Sequence, residues 1–142
     1  MILTLALIVV ALMATLVACV PPNGVVLRSG EWGTHTLLVD DRTGLLAEVR
    51  AATWETGVPL DEATVSEDGM PITIHWTGGA CEHSPTLTVS GDAAALSLVV
   101  RNPPDETIGP PAPCPAVGIP LGAVLTLSEP VVRRNVSVDL GF

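Results

Sequence analysis

Lysine, glutamine and tyrosine are absent from this 142-residue chain, and phenylalanine occurs once. Without lysine there is no P-loop phosphate clamp and no Schiff-base nucleophile. The six basic residues are all arginines and stand against 15 acidic ones, giving a net charge of −9. That balance repels nucleic acid, and it disfavours an anionic membrane surface as a direct partner. A solvated acidic coat is its simplest meaning. No G-x-S-x-G nucleophile elbow occurs, and no basic side chain precedes Arg28.

What the N-terminus has instead is a long apolar run. Ile2 to Val20 is uncharged and largely aliphatic, and as a helix it would span about 28 Å. It ends at Leu16-Val17-Ala18-Cys19, followed by Pro21-Pro22. This is the pattern of an export signal rather than of a domain element. The Leu-Val-Ala-Cys tetrapeptide resembles the lipobox of bacterial lipoproteins, in which small residues precede an invariant cysteine. The resemblance implies that Cys19 is lipidated and becomes the first residue of the mature protein. Acyl chains then hold the product to the bilayer after the helix is removed. Because a signal usually opens with Lys or Arg, this reading expects a basic segment upstream of Met1. Two other readings stay open at this level: an uncleaved anchor or ordinary secretory signal, and a reversed topology with Arg28, Arg42 and Arg50 holding the domain inside.

After the signal only Cys81 and Cys114 remain as thiols, an even pair in a chain heading out of the cytoplasm. A disulfide between them is the expected arrangement and argues against the reversed topology. Zinc held by Cys81, His83, Cys114 and His75 is the competing idea, but their spacing matches no compact Cys/His ligand pattern. No metal or cofactor is expected.

From Trp32 onward the apolar residues recur with period two, and Pro or Gly interrupts them about every ten residues, the mark of a small all-β domain. Trp32–Val39 and Leu45–Trp54 read as a hairpin joined through Asp40–Gly44, with Ala47, Val49 and Ala51 facing the core. The acidic stretch from Thr56 to Pro71 reads as a solvated connection, since Ala63, Thr64 and Val65 interrupt the carboxylates of Asp61, Glu62, Glu67 and Asp68 that a calcium loop would need at alternate positions. Ile72–Trp76 is the clearest strand, with Ile72, Ile74 and Trp76 on one face and Thr73, His75 and Thr77 on the other. Thr86–Ser90 and Ala95–Arg101 form a second hairpin about Gly91-Asp92. Residues 102–120 hold seven prolines and read as an irregular loop. Leu121–Leu127 and Val131–Leu140 close the chain. The expected architecture is an all-β antiparallel sandwich or partly open barrel of about six to eight strands. Its organisation is a signal over 1–18, a tether over 19–31 and a disulfide-pinned β domain over 32–142.

The order W-T-G-G-A-C at 76–81, a strand pair, C-P-A-V-G at 114–118 and L-x-L-S-E-P at 125–130 followed by R-R-N-V is similar to short secreted or lipid-anchored actinobacterial proteins. The likeness covers roughly residues 70–140. It implies an extracytoplasmic β domain and no particular reaction.

Catalysis has few candidates. His35, His75 and His83 are the general bases near neutrality, with Ser84, Ser90 or Ser97 as nucleophiles and Asp92 or Asp139 to orient them. Trp32, Trp54 and Trp76 invite a sugar-stacking platform, although core packing is the commoner use of such residues. The function expected is a non-enzymatic binding or structural module, anchored outside the cytoplasm through Cys19. It would meet a cell-envelope or protein ligand, with no nucleic acid, through loops 55–71 and 102–120. An envelope-associated hydrolase and an uncleaved single-pass protein are the alternatives. Peptide mapping without reductant should recover Cys81 joined to Cys114. Reduction should lower stability by about 2–4 kcal/mol, read as a drop in melting temperature, and two free thiols in protein taken from the envelope would overturn the pairing.

Overall fold

A computed structural model of the chain describes residues 24–53, 62–103 and 114–140. Cys19, the signal segment, Trp54 and the middle of the proline-rich stretch lie outside them. Among the described residues nine strands form two sheets packed face to face, open at the sides rather than closed into a barrel. In chain order they are β1 Gly24–Gly30, β2 Gly33–Asp41, β3 Leu46–Ala51, β4 Glu62–Val65, β5 Pro71–Gly79, β6 Thr86–Gly91, β7 Leu96–Arg101, β8 Gly118–Leu127 and β9 Val136–Asp139. One sheet has the order β1-β2-β6-β7-β9 and the other β3-β8-β5-β4. Most pairings are antiparallel, but β2–β6 and β7–β9 are parallel.

The core lies between the sheets and follows the period-two pattern. Ile72, Ile74 and Trp76 of β5 and Leu121, Ala123 and Leu125 of β8 meet Leu37, Leu87, Val89, Leu98 and Val100 of the facing sheet, all buried. In the β5–β8 ladder Trp76 lies opposite Leu121, and Ile74 lies opposite Ala123, a large side chain beside a small one. The Trp76 indole is completely buried, and its N–H donates to Asn102 Oδ1 at 3.3 Å, so its one polar atom is satisfied.

Several expectations are corrected. Residues 24–30, assigned from sequence to the tether, form edge strand β1. Val25 and Leu27 are half-buried against the core while Val26 and Arg28 are exposed, and the pairing with β2 shifts register between Val26 and Arg28. With β1 occupying one flank of β2 and β6 the other, β2 and β3 do not form a hairpin; β3 crosses to the second sheet and pairs with β8. Asp41 makes that crossing. Its carboxylate accepts from Thr43 N–H at 2.9 Å, Thr43 Oγ1 at 2.6 Å, Gly44 N–H at 3.2 Å and Leu46 N–H at 3.2 Å. Gly44 sits at φ +70°, the left-handed region that glycine takes without steric cost.

A shift in register between Leu46 and Glu48 turns Ala47 outward, so that only Val49 and Ala51 of the three expected residues are half-buried. The connection between Thr56 and Pro71 contains β4, which adds to the edge of β5. Gly118, Ile119 and Pro120 belong to β8 rather than to an irregular loop. Pro120 is tolerated because β3 pairs only with residues 123–127, so the missing N–H falls on an open flank. Before β9, Arg133–Asn135 form a single 3-10 turn, and the last strand begins at Val136 instead of Val131.

The hairpin of β6 and β7 forms as its sequence suggests, with Gly91 at φ +92° and the Asp92 carboxylate accepting from the N–H groups of Ala94 and Ala95. The Cys81–Cys114 disulfide is present, with Cα atoms 5.8 Å apart. Trp76→Ala should destabilise the domain by about 3–5 kcal/mol in urea unfolding, because it empties the centre of the β5–β8 seam. A loss under about 1 kcal/mol would show that the core does not close on this indole.

Candidate functional site

The two ends of the sandwich differ in chemistry. At one end β1 begins at Gly24, beside the end of β2 and the start of β3. A groove of about 320 Å³ opens there between Val25, Val39, Leu46 and Val49, with Asp41 and Glu48 at its border. Burial raises the pKa of Asp41, but the hydrogen bonds from Thr43, Leu46 and Gly44 together outweigh it and hold the carboxyl below the ordinary range. That carboxylate is committed to its turn. Asp68, in the turn between β4 and β5, is likewise held low by the Ser66 hydroxyl and by Met70 N–H.

The opposite end gathers the Trp32 hairpin tip, two histidines and the disulfide. Glu31-Trp32-Gly33 joins β1 to β2, with Gly33 at φ +86°, the left-handed residue that closes a short hairpin loop. His83 packs on this glycine: a Cβ added to Gly33 would come within 3.0 Å of the His83 ring. His83 Nε2 donates to the Trp32 carbonyl at 2.7 Å. Its ring is tilted against that of His35, with centroids 4.9 Å apart. His35 is buried and donates from Nε2 to the Gly79 carbonyl at 3.2 Å.

The glycine pair of W-T-G-G-A-C has a local reason. A Cβ on Gly78 would strike Leu121 at 2.7 Å, and one on Gly79 would strike the Glu82 carboxylate at 2.8 Å, where Glu82 Oε2 accepts from Gly79 N–H at 3.0 Å. These contacts fold the corner from β5 into Cys81, and two residues later His83 reaches the hairpin tip. The disulfide, the corner and the tip are thus one mechanical unit.

A cleft of about 90 Å³ opens beside this tip, lined by Arg28, Gly30, Glu31, Trp32, Gly33, His35 and Ile119. Trp32 is 37% exposed there, whereas Trp76 is core. Arg28 donates to the Pro120 carbonyl at 3.4 Å, which leaves most of its donors directed to solvent. Arg28, Glu31, Trp32 and the buried Ile119 thus border one small concavity.

The other candidates are dispersed. His75 is on the outer face of the second sheet, away from His35 and His83, and it is nonetheless buried. The reason is a close approach: its ring lies over Gly122, where any Cβ would come within 2.7 Å of it, and Ala52 closes the same spot. Ser90 and Ser97 face one another across the β6–β7 hairpin, and Asp139 pairs with Arg101 at 2.8 Å. Cys81 and Cys114 are bonded to each other, which removes them from the zinc set. Of the acidic stretch, Glu62 is on β4 opposite His75, and Glu67 and Asp68 are in the following turn. Cys19 lies outside the described residues. No protein-family model matches the chain, and no curated protein or solved structure matches it either.

Sequence reasoning passed over Arg28, Glu31 and the tip position of Trp32; the signal available was the E-W-G triplet, a loop tripeptide ending in glycine. His75 supplies a test of the electrostatics. Desolvation lowers its pKa, so the folded chain prefers the neutral ring, and the unfolded chain binds the extra proton first as pH falls through about 6.5. Stability contributed by the neutral ring should be intact above that pH and fall between it and the folded pKa. His75→Asn should flatten the loss of melting temperature between pH 7 and pH 5, the other two histidines being common to both proteins. Parallel pH profiles for the two proteins would contradict the burial.

Proposed function

We propose that this chain is a lipid-anchored extracytoplasmic module that holds a rigid β-sandwich close to a membrane and offers the Trp32 end to a ligand. The observation that carries the reading is the polarity of β1. Its first residue, Gly24, is five residues past Cys19, and its last, Gly30, leads into the Trp32 tip at the opposite end of the sandwich. Five extended residues reach at most about 17 Å, so an acylated Cys19 would leave the domain little slack. The groove end would then face the bilayer and the Trp32 cleft would face away from it.

Two further features support this. The disulfide fits an oxidising compartment outside the cytoplasm. No helix among the described residues is long and apolar enough to cross a membrane, so any attachment in this reading falls to the N-terminal segment. A binding role suits the histidines better than a hydrolytic one, since His35 and His83 spend their Nε2 protons on main-chain carbonyls and thereby fix the tip.

The test is Cys19→Ala in the native host, followed by membrane fractionation and intact mass. The wild type should sediment with membranes and carry the mass of cleavage at Cys19 plus acyl chains. The variant should appear as an unprocessed precursor or in the soluble fraction. A variant processed and sedimented as the wild type would overturn the anchor.

A further inference from the structure

We infer that the turn Val132-Arg133-Arg134 is a second contact with the membrane, its guanidinium groups taking the phosphates of lipid headgroups beside the Cys19 anchor. This deepens the anchored-module reading and rests on it. The first observation is the stagger of the five-stranded sheet. Gly24 lies opposite Leu38, Leu38 opposite Thr86, and from Thr86 the strand β6 runs on to Gly91, opposite Leu96. Leu96 in turn lies opposite Val136, the residue that follows the 3-10 turn. Gly91 is thus five residues past the level of Gly24, which is about 17 Å along β6 and still about 12 Å along β1 after a twist of about 20–25° per strand. The tip made by residues 91–95 and 132–135 therefore projects beyond Gly24 on the side away from Trp32. Because the five residues from Gly24 back to Cys19 reach at most about 17 Å, an upright β1 leaves the tip no more than about 5 Å clear of the depth of Cys19. That gap is about the thickness of one headgroup layer.

The second observation is what the tip carries. Val132 is 41% exposed, and with Arg133 and Arg134 it borders a shallow open concavity. Neither arginine forms an ion pair among the described residues, whereas Arg42 is held by Asp40 and Arg101 by Asp139. An exposed valine flanked by arginines suits a headgroup boundary, where methyl groups enter and guanidinium groups match phosphate. The two turns are clamped together before any lipid arrives: Val132 N–H donates to the Ala93 carbonyl at 3.0 Å, and Asn135 Nδ2 donates to the Ala94 carbonyl at 2.9 Å. Asp92, the acid within the tip, spends its carboxylate on the N–H groups of Ala94 and Ala95. Other acids near it are Glu129 and, on the turn that bonds to Val131, Glu67 and Asp68. With a net charge of −9 the whole domain is repelled by an anionic surface. The anchor therefore supplies the attachment, and the arginine pair decides which end is turned to the bilayer.

The experiment is arginine footprinting of the full-length protein with phenylglyoxal, read by peptide mass mapping. It is run in neutral detergent micelles, in phosphatidylcholine vesicles, and in phosphatidylcholine vesicles holding about 30% phosphatidylglycerol. The chain has six basic residues, all arginines, so each position is read by itself. Arg133 and Arg134 should react at least about threefold more slowly in the anionic vesicles than in micelles, with weaker protection in phosphatidylcholine alone. Arg28, close to the Trp32 end, should react alike in all three. Arg133 and Arg134 reacting alike in all three, equal protection by the two kinds of vesicle, or protection of Arg28 in their place would overturn the contact. Intact mass of the same preparation scores the anchor separately. Acylated protein with unprotected arginines removes this contact alone, unacylated protein whose Arg133 and Arg134 are protected removes the anchor alone, and unacylated protein without protection removes both.

Discussion

The ladder between β5 and β8 is the constraint on which the remaining structure depends. It runs from Pro71 opposite Thr126 to Gly79 opposite Gly118, and it lies at the middle of the smaller sheet with β4 and β3 on its flanks. Its register decides which side chains enter the core. A slip of one residue would turn Thr73, His75 and Thr77 inward and expel Ile72, Ile74 and Trp76. The same register sets Gly78 against Leu121 and brings Gly79 and Gly118 together at the end where the chain must turn into Cys81. Packing at the seam and geometry at the candidate site are therefore set together.

From that end the influence passes outward through short, directional contacts. Glu82 caps Gly79, His35 reaches the Gly79 carbonyl, and His83 bridges from the disulfide corner to the Trp32 carbonyl. Hydrogen bonds of this kind each contribute only about 1 kcal/mol, so their value here is in fixing position more than in holding the fold together. The exposed tryptophan and the glutamate are thus carried on a turn, next to the arginine near the end of β1, that the core and the disulfide hold in place. At the other end the Asp41 carboxylate performs the comparable task for the crossing between sheets, gathering four donors into one turn.

How much of this was legible depends on how far apart the interacting residues are in sequence. Ile72–Trp76, the hairpin of β6 and β7 and Leu121–Leu127 were plain, because alternation and turn residues are local signals. β1 escaped notice because the apolar run Val25-Val26-Leu27 hides in the sequence the alternation that the strand shows in burial, and a bulge follows Val26. β3 was recognised as a strand and given the wrong partner, since its pattern suits any half-buried neighbour. The burial of His75 had no sequence signal at all: it comes from Gly122, 47 positions away, lacking a side chain at the facing site of β8. The Trp32 cleft was half legible, since the sequence already singled out the indole, while Arg28 and Ile119 join it only through folding.

Local residue pattern was enough for the all-β class, the inward face of β5, the pairing of Cys81 with Cys114, and the apolar N-terminal segment with its lipobox resemblance. Each of these follows from residue type and spacing within a few positions. It took long-range packing to separate β2 and β3 into different sheets, to set β2–β6 and β7–β9 parallel, and to make one tryptophan core while another borders a cleft. Strand pairing is a competition among edges that all offer the same backbone donors and acceptors. It is resolved by which combination buries the most apolar surface at once, and that quantity belongs to the whole chain rather than to any segment of it.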